Sequence, residues 1–467
     1  MSVHDDTGMT QNYGILARID RLPPSRHLTG LVARIAAGGW FEFYELFMPG
    51  FISIGLVRAG IFTMSNRGLL DYHSFASFLG SFFFGMLLST ALFGFVSDRF
   101  GRRSVFIYSM VFYSIAQLFV AILTDPLMID LARLFAGFAV GMQLVNNDSY
   151  LSELTPRSKR GRYMTGAYIF VLSAIPIVAL FAAILVPLDP FGISGWRFVV
   201  AFGSVGGILV WSIQRGLKES PRWLEAHGRV AEADAIVSEI EASIETELGV
   251  KLPAPDLSIP DVAVDTGAWR EMFSKFYLPR TLMLCVFQFA QPFAVFGFTA
   301  FVPVLLMKHG FTIVHSLYYS MMIVLLAPVG AGCAAHFAER IERKWQLVLM
   351  ALFISISGTV FALAISVPLV VFSGACIALG NSWLTATFHP YAAEIFPTRI
   401  RARAVGFTFS WSRIGSIFVG FWVSDLLAVY GPGGVFTMIG IAMLAIMISI
   451  GVFGPKTNGS SLEVLSP

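Results

Sequence analysis

Two acidic residues stand inside the first long apolar run of the chain, in Gly39-Trp40-Phe41-Glu42-Phe43-Tyr44-Glu45-Leu46-Phe47. Glu42 and Glu45 are three residues apart, so on a helix they share one face. Glu45 lies 14 residues into a run that starts at residue 31. At the rise of an α-helix that is about 21 Å, near the middle of a bilayer. An ionised carboxylate at that depth costs several kcal/mol unless it is paired, hydrated or protonated, so small changes in access would load or unload a proton. The alternative is a carboxylate permanently paired with an arginine as scaffold. Arg133, about seven residues inside the outer end of another apolar run, is the natural partner, either as a counter-ion that tunes Glu45 or as a ligand for an anion. Arg413, in Ser410-Trp411-Ser412-Arg413-Ile414-Gly415, has no acidic neighbour in sequence. Asp425 is twelve residues away, about 18 Å along a helix, so Arg413 invites an anionic ligand. Gln288, Gln291, Asn381 and Trp383 offer neutral polar groups for a substrate or for ordinary interhelical bonding, and Phe43, Tyr44 and Phe47, next to the acidic pair, are expected to touch substrate.

The elements that must position these residues follow from composition. Apolar residues make up 56% of the 467, charged residues 13%, and mean hydropathy is +0.73, well outside the range of soluble domains and characteristic of an integral membrane protein. The net charge of +3 implies no nucleic-acid partner. Twelve apolar runs are long enough to span a bilayer: 31–57, 73–96, 104–123, 126–150, 163–187, 194–213, 279–305, 315–338, 346–365, 368–392, 404–429 and 433–453. Lys and Arg cluster in alternate loops, which predicts that both termini are cytoplasmic and leaves Arg58, Arg67 and Lys308 outside. The expected organisation is a cytoplasmic segment (1–30), a six-helix bundle (31–213), a cytoplasmic linker with short helices (214–276), a second six-helix bundle (277–454) and a cytoplasmic tail (455–467). Cys285, Cys333 and Cys376 fall in apolar runs without metal-ligand spacing and read as small packing residues; no cofactor is expected. The first thirty residues lack the apolar core of a cleavable signal, so the first helix is expected to direct insertion and remain.

The chain repeats itself. Asp98-Arg99-Phe100-Gly101-Arg102-Arg103 recurs as Glu339-Arg340-Ile341-Glu342-Arg343-Lys344, and Glu153, Pro156, Arg160 and Arg162 recur as Glu394, Pro397, Arg401 and Arg403, all at an offset of 241 residues. Such duplication in a membrane protein suggests two halves that rock against each other. Carboxylates beside clustered arginines at helix ends predict ion pairs between the bundles that hold one state closed and break in the other; the alternative is that these charges only fix topology. The same offset carries Glu42, Glu45 and Arg133 to Met283, Val286 and Gly374, so the repeat fails where coupling chemistry is expected. Asp148 and His389, close to the cytoplasmic helix ends, read as gate residues more than as ligands.

The loop Gly94-Phe95-Val96-Ser97-Asp98-Arg99-Phe100-Gly101-Arg102-Arg103, with Glu153, Arg160 and their second-half copies, resembles the major facilitator superfamily. Within it, Arg133, Glu153-Leu154-Thr155-Pro156 and Glu219-Ser220-Pro221-Arg222-Trp223-Leu224 look like the sugar porters and bacterial relatives that carry organic acids, while the opening of the first helix looks like metabolite:proton symporters. The resemblance implies an all-α membrane fold and coupling of the acid at Glu45 to the arginine at Arg133. Sugar porters bind hydroxyls with adjacent glutamines, whereas Gln288 and Gln291 are three apart. The expectation is a plasma-membrane (cell inner-membrane) transporter with a small solute and protons as partners and a monomer as its unit, carrying an organic anion first and a sugar or polyol second. Proton-driven export of hydrophobic compounds is disfavoured because Ala174-Ile175-Pro176-Ile177 lacks the glycine-rich pattern of antiporters. A nutrient sensor is disfavoured by the short tail. An enzyme is not expected, since no nucleophile and base, metal cluster or phosphate loop is evident.

Overall fold

The computed structural model describes residues 14–68, 71–255, 269–308, 310–338 and 340–457, without the side chains of 91–98, 145, 148, 269, 398, 399 and 402. It is all-helical, with twelve membrane-crossing helices in two bundles of six. The first bundle holds α1 (Arg26–Arg58), α2 (Phe75–Phe100), α3 (Arg102–Ile122), α4 (Pro126–Leu154), α5 (Arg160–Leu172 and Ala174–Leu185) and α6 (Gly195–Gln214). The second holds α7 (Leu278–Thr299), α8 (Ile313–Val324 and Ala327–Phe337), α9 (Arg343–Leu363), α10 (Val367–Glu394), and α11 and α12, which run through Thr398–Phe453 and part at Gly431.

Local chemistry sets these boundaries. Ser25 Oγ caps α1 by accepting from the Leu28 N–H (3.1 Å), and Asp125 caps α4 at the Met128 N–H (2.9 Å) with Pro126 in its first turn. The interruptions in α5 and α8 share one cause. Their first segments end at Leu172 and Val324, each four residues before a proline (Pro176, Pro328) whose ring crowds that carbonyl. Gly431 takes φ 64°, ψ −159°, a conformation that excludes a side chain and turns the chain between α11 and α12.

Within each bundle glycines let helices touch backbone to backbone. A methyl group at Gly137 of α4 would strike the Phe82 carbonyl of α2, and one at Gly85 the Leu134 carbonyl. The second bundle repeats the crossing, with Gly330 of α8 against the Leu379 carbonyl of α10. The outward faces carry large apolar side chains, such as Ile115, Leu118, Phe119 and Ile122 on α3 and Ile441, Leu444 and Ile448 on α12. Nothing but lipid suits such a surface, and the chain is a multi-pass membrane protein.

At the end bearing the basic loops, a short helix (Ile15–Asp20) packs on two linker helices (Pro221–Ala226 and Val230–Leu248). Ile15, Ile19 and Leu22 join Trp223, Leu224, Val237 and Ile244 in a separate apolar cluster. Glu241, 8% exposed, receives Arg18 Nη2 at 2.7 Å and Arg21 Nη2 at 2.6 Å. Composition predicted linker helices, but not this docking of the amino-terminal segment onto them. Burial opposes ionisation of Glu241, yet the hydrogen bonds from Arg18 and Arg21 outweigh it and hold the carboxyl below the ordinary glutamate range. A depressed carboxylate contributes stability that is full at neutral pH and is lost as pH falls through its folded-state value. Amides 15–20 are therefore expected to be protected from hydrogen exchange at pH 7, and that protection is expected to fall in Glu241→Gln and in wild type under strongly acidic conditions.

Candidate functional site: an inter-bundle cavity and a buried ion pair

Between the bundles lies a cavity of about 150 Å³. The first bundle supplies an apolar wall, with Phe43 and Phe47 of α1, Leu144 of α4 and Tyr168 of α5. Polar groups come from the second: Gln288 and Gln291 of α7, Asn381, Thr385 and His389 of α10, and Arg413 of α11. Gln291 Nε2 donates to Thr385 Oγ1 (2.7 Å) and Asn381 Nδ2 to the Ala294 carbonyl (3.1 Å). Among the described residues Gln288 Nε2 and Asn381 Oδ1 have no hydrogen-bond partner, which leaves a donor and an acceptor available to a ligand. Arg413 is the one fixed charge among the described lining residues, and it lies within electrostatic reach of Glu42 and His389.

Toward the end opposite the basic loops, aromatic contacts close the cavity. Phe296 of α7 meets Phe47 of α1 (ring centroids 5.7 Å) and Phe83 of α2 (4.8 Å), and Phe75 meets Phe301 edge-on (5.6 Å). A methyl group at Gly50 of α1 would collide with the Thr299–Ala300 backbone, so the bundles touch there through main chain. On the other side, Tyr168 of α5 meets His389 edge-on at 6.1 Å, and His389 stacks on Phe409 at 5.4 Å.

Glu45 is not in the cavity wall. It forms an ion pair with Arg133 inside the first bundle, both side chains wholly buried. The Tyr113 hydroxyl of α3 donates to Glu45 Oε2 (3.3 Å), and the Arg133 guanidinium lies over the rings of Phe78 (4.6 Å) and Phe82 (4.3 Å). Glu42, one turn nearer the basic end, is 3% exposed. Helix α1 thus carries the acidic pair on one face and the Phe43–Phe47 cavity wall on another.

Two sequence candidates for substrate contact are drawn elsewhere. The Tyr44 hydroxyl donates to the Val199 carbonyl of α6 (2.8 Å), because Tyr44 sits about 100° around α1 from Phe43. Trp383 Nε1 donates to Gln346 Oε1 of α9 (3.0 Å) and the indole stacks on Phe337. Residues two apart on a helix do not share a face, so Trp383 turns away where Asn381 lines the cavity.

The residues expected at the gate form matched pairs. Arg102 Nε meets Glu153 Oε1 at 3.3 Å, and Arg343 Nη1 meets Glu394 Oε2 at 3.0 Å, each across 51 residues of sequence. The repeat in sequence is thus a repeat in bonding. Both pairs join helices of one bundle rather than the two bundles, which differs from the expected inter-bundle pairing; the loop geometry places each arginine beside the carboxylate of its own half. Among the described residues Glu153 Oε2 and Arg160 Nε and Nη2 have no hydrogen-bond partner. Arg103 is held by the linker, its N–H donating to Glu219 Oε1 and Nη2 to the Arg215 carbonyl, both at 3.0 Å. Arg401 Nε donates to the Phe396 carbonyl (3.3 Å), Arg340 meets His336 Nε2 (2.8 Å), and Arg99 lies over Phe100. Glu339 and the side chains of Asp98 and Asp148 lie outside the described residues.

Twelve helices, duplicated arginine–glutamate pairs and a polar cavity between two bundles describe a carrier, and the match in sequence decides which kind: residues 32–467 fit the pattern of the sugar (and other) transporter family. The chain belongs to that family. This transporter is 28% identical over 468 residues to the inner membrane metabolite transport protein YdjE of Escherichia coli, covering 98% of this chain and 99% of YdjE. It is 26% identical over 450 residues to the niacin transporter NiaP of Acinetobacter baylyi, covering 96% and 99%. The major-facilitator proton:xylose symporter XylE of E. coli, bound to a glucose derivative, superposes with a TM-score of 0.70 at 20% identity, over 94% of this chain and 98% of XylE. The transporter thus has the major facilitator fold.

The sequence did not single out Tyr113 or Tyr168. The signal for Tyr113 was indirect, in Gly203 and Gly207 one turn apart on α6, which make room for its ring.

Proposed function

We propose that this transporter is a proton-coupled symporter of a small organic anion, working by alternating access in the inner membrane with both termini in the cytoplasm, as a monomer. The observation that carries the reading is Arg413, a fixed cation in a cavity whose described lining contains no carboxylate. The niacin transporter among the relatives supports a small metabolite, and the inner-membrane relative supports the location. Glu45 and Arg133 are the proton site, with Glu42 between them and Arg413. When Glu45 takes up a proton from outside, Arg133 loses its ionic partner, substrate binds Arg413 with Gln288, Gln291 and Asn381, and the bundles rock. Glu153, Arg160, Glu394 and Arg401 then exchange partners across the basic face, a role that fits the unmade hydrogen bonds of Glu153 and Arg160. Release inside and loss of the proton reset the pair.

A second reading, a sugar or polyol, is favoured by the free amide groups of Gln288 and Asn381 and by the likeness to a xylose symporter. Purified protein screened by thermal shift against small carboxylates, sugars and polyols, followed by uptake into acid-bath liposomes, separates the two. Stabilisation and uphill uptake of a carboxylate are expected; a response to sugars or polyols alone moves the assignment to the second reading, and uptake insensitive to the pH gradient removes proton coupling.

A further inference from the structure

Arg133 meets one oxygen of the Glu45 carboxylate, while the other is held from a third helix. Tyr113 is 1% exposed, and its position is built rather than incidental. A methyl group at Gly203 would stand 3.0 Å from its hydroxyl, and one at Gly207 would overlap Ser114 Oγ beside it. Ser204 Oγ donates to the Ser114 carbonyl (2.7 Å) and fixes α6 against α3 at that level. The neighbouring Tyr44 hydroxyl is committed to the Val199 carbonyl. Tyr113 is also within electrostatic reach of Glu42, and Glu42 is within reach of Arg413 in the cavity wall. Among the described residues, the groups set against the acidic pair include Arg133 from α4, Tyr113 from α3 and Arg413 from α11.

We propose that Tyr113 is a positioning residue for proton coupling, whose hydroxyl holds the ionised Glu45 carboxylate in place beside Arg133. This rests on the coupling role proposed for Glu45.

Infrared spectroscopy of the full chain in liposomes tests it without a substrate, by following protonated-carboxyl bands as pH is varied. The band lost in Glu45→Gln reports Glu45. Tyr113→Phe removes a hydrogen bond to the ionised form, so the band is expected at higher wavenumber with its midpoint raised by about one pH unit. Site-specific 3-fluorotyrosine at 113, a stronger donor of nearly the same size, is expected to move the midpoint the other way, and it decides alone if Tyr113→Phe fails to fold. An unchanged midpoint with both substitutions at 113 overturns the role of Tyr113. If Glu45→Gln removes no titrating band, the coupling role of Glu45 itself fails.

Discussion

Glu45→Gln is expected to abolish uphill transport while leaving exchange. For one proton per monovalent anion, a gradient of one pH unit is worth about 1.4 kcal/mol and drives about a tenfold accumulation. The substituted amide keeps the shape of the protonated glutamate but cannot release a proton, so accumulation should fall to equality across the membrane, while counterflow of labelled for unlabelled substrate persists in the same vesicles. The substitution also strips a wholly buried Arg133 of its ionic partner, which costs about 3–5 kcal/mol for pairs of this kind. The rings of Phe78 and Phe82 remain to offset part of that cost. Melting temperature should therefore drop in Glu45→Gln and recover in Glu45→Gln with Arg133→Met, where neither charge is left. Retained concentrative uptake in Glu45→Gln removes the carboxylate from the coupling step, whatever its role in stability.

Arg413→Ala is expected to weaken binding of the carboxylate found by thermal shift by about 30- to 100-fold, the worth of a charged hydrogen-bonded contact of about 2–3 kcal/mol. Arg413→Lys should recover part of the loss, because an ammonium keeps the charge but not the planar fork. The alanine variant should fold normally, since Arg413 borders an open cavity rather than filling packed space. Its Nη1 donates to Ser412 Oγ (3.1 Å), the adjacent residue of its own helix, so little tertiary structure depends on that bond. Unaltered affinity in Arg413→Ala removes it from the site and with it the main argument for an anion.

The sequence carried much of this architecture because hydropathy and duplication are one-dimensional signals. All twelve apolar runs coincide with helices, and the 241-residue offset correctly matched the Arg102–Glu153 and Arg343–Glu394 pairs to each other. It says nothing of which groups those arginines meet, because a repeat equates positions in two halves without saying whether partners lie within or across them. The pairing of Glu45 with Arg133 was anticipated from depth in the membrane, a quantity that residue counting supplies.

What the sequence by itself determined is a membrane protein of two related halves, with Glu42, Glu45 and Arg133 in the first and no charge at the matching positions of the second. Only tertiary structure decided which side chains look into the cavity. Tyr44 and Trp383 point away while Phe43, Phe47 and Asn381 point in, because rotation about a helix axis is set by packing of neighbours that are remote in sequence. The same holds for Tyr113, brought to Glu45 by two glycines about ninety residues further along the chain, and for Arg413, which the fold sets in the wall of the cavity between the bundles. Composition places a charge at a depth; the crossing of helices gives it a neighbour.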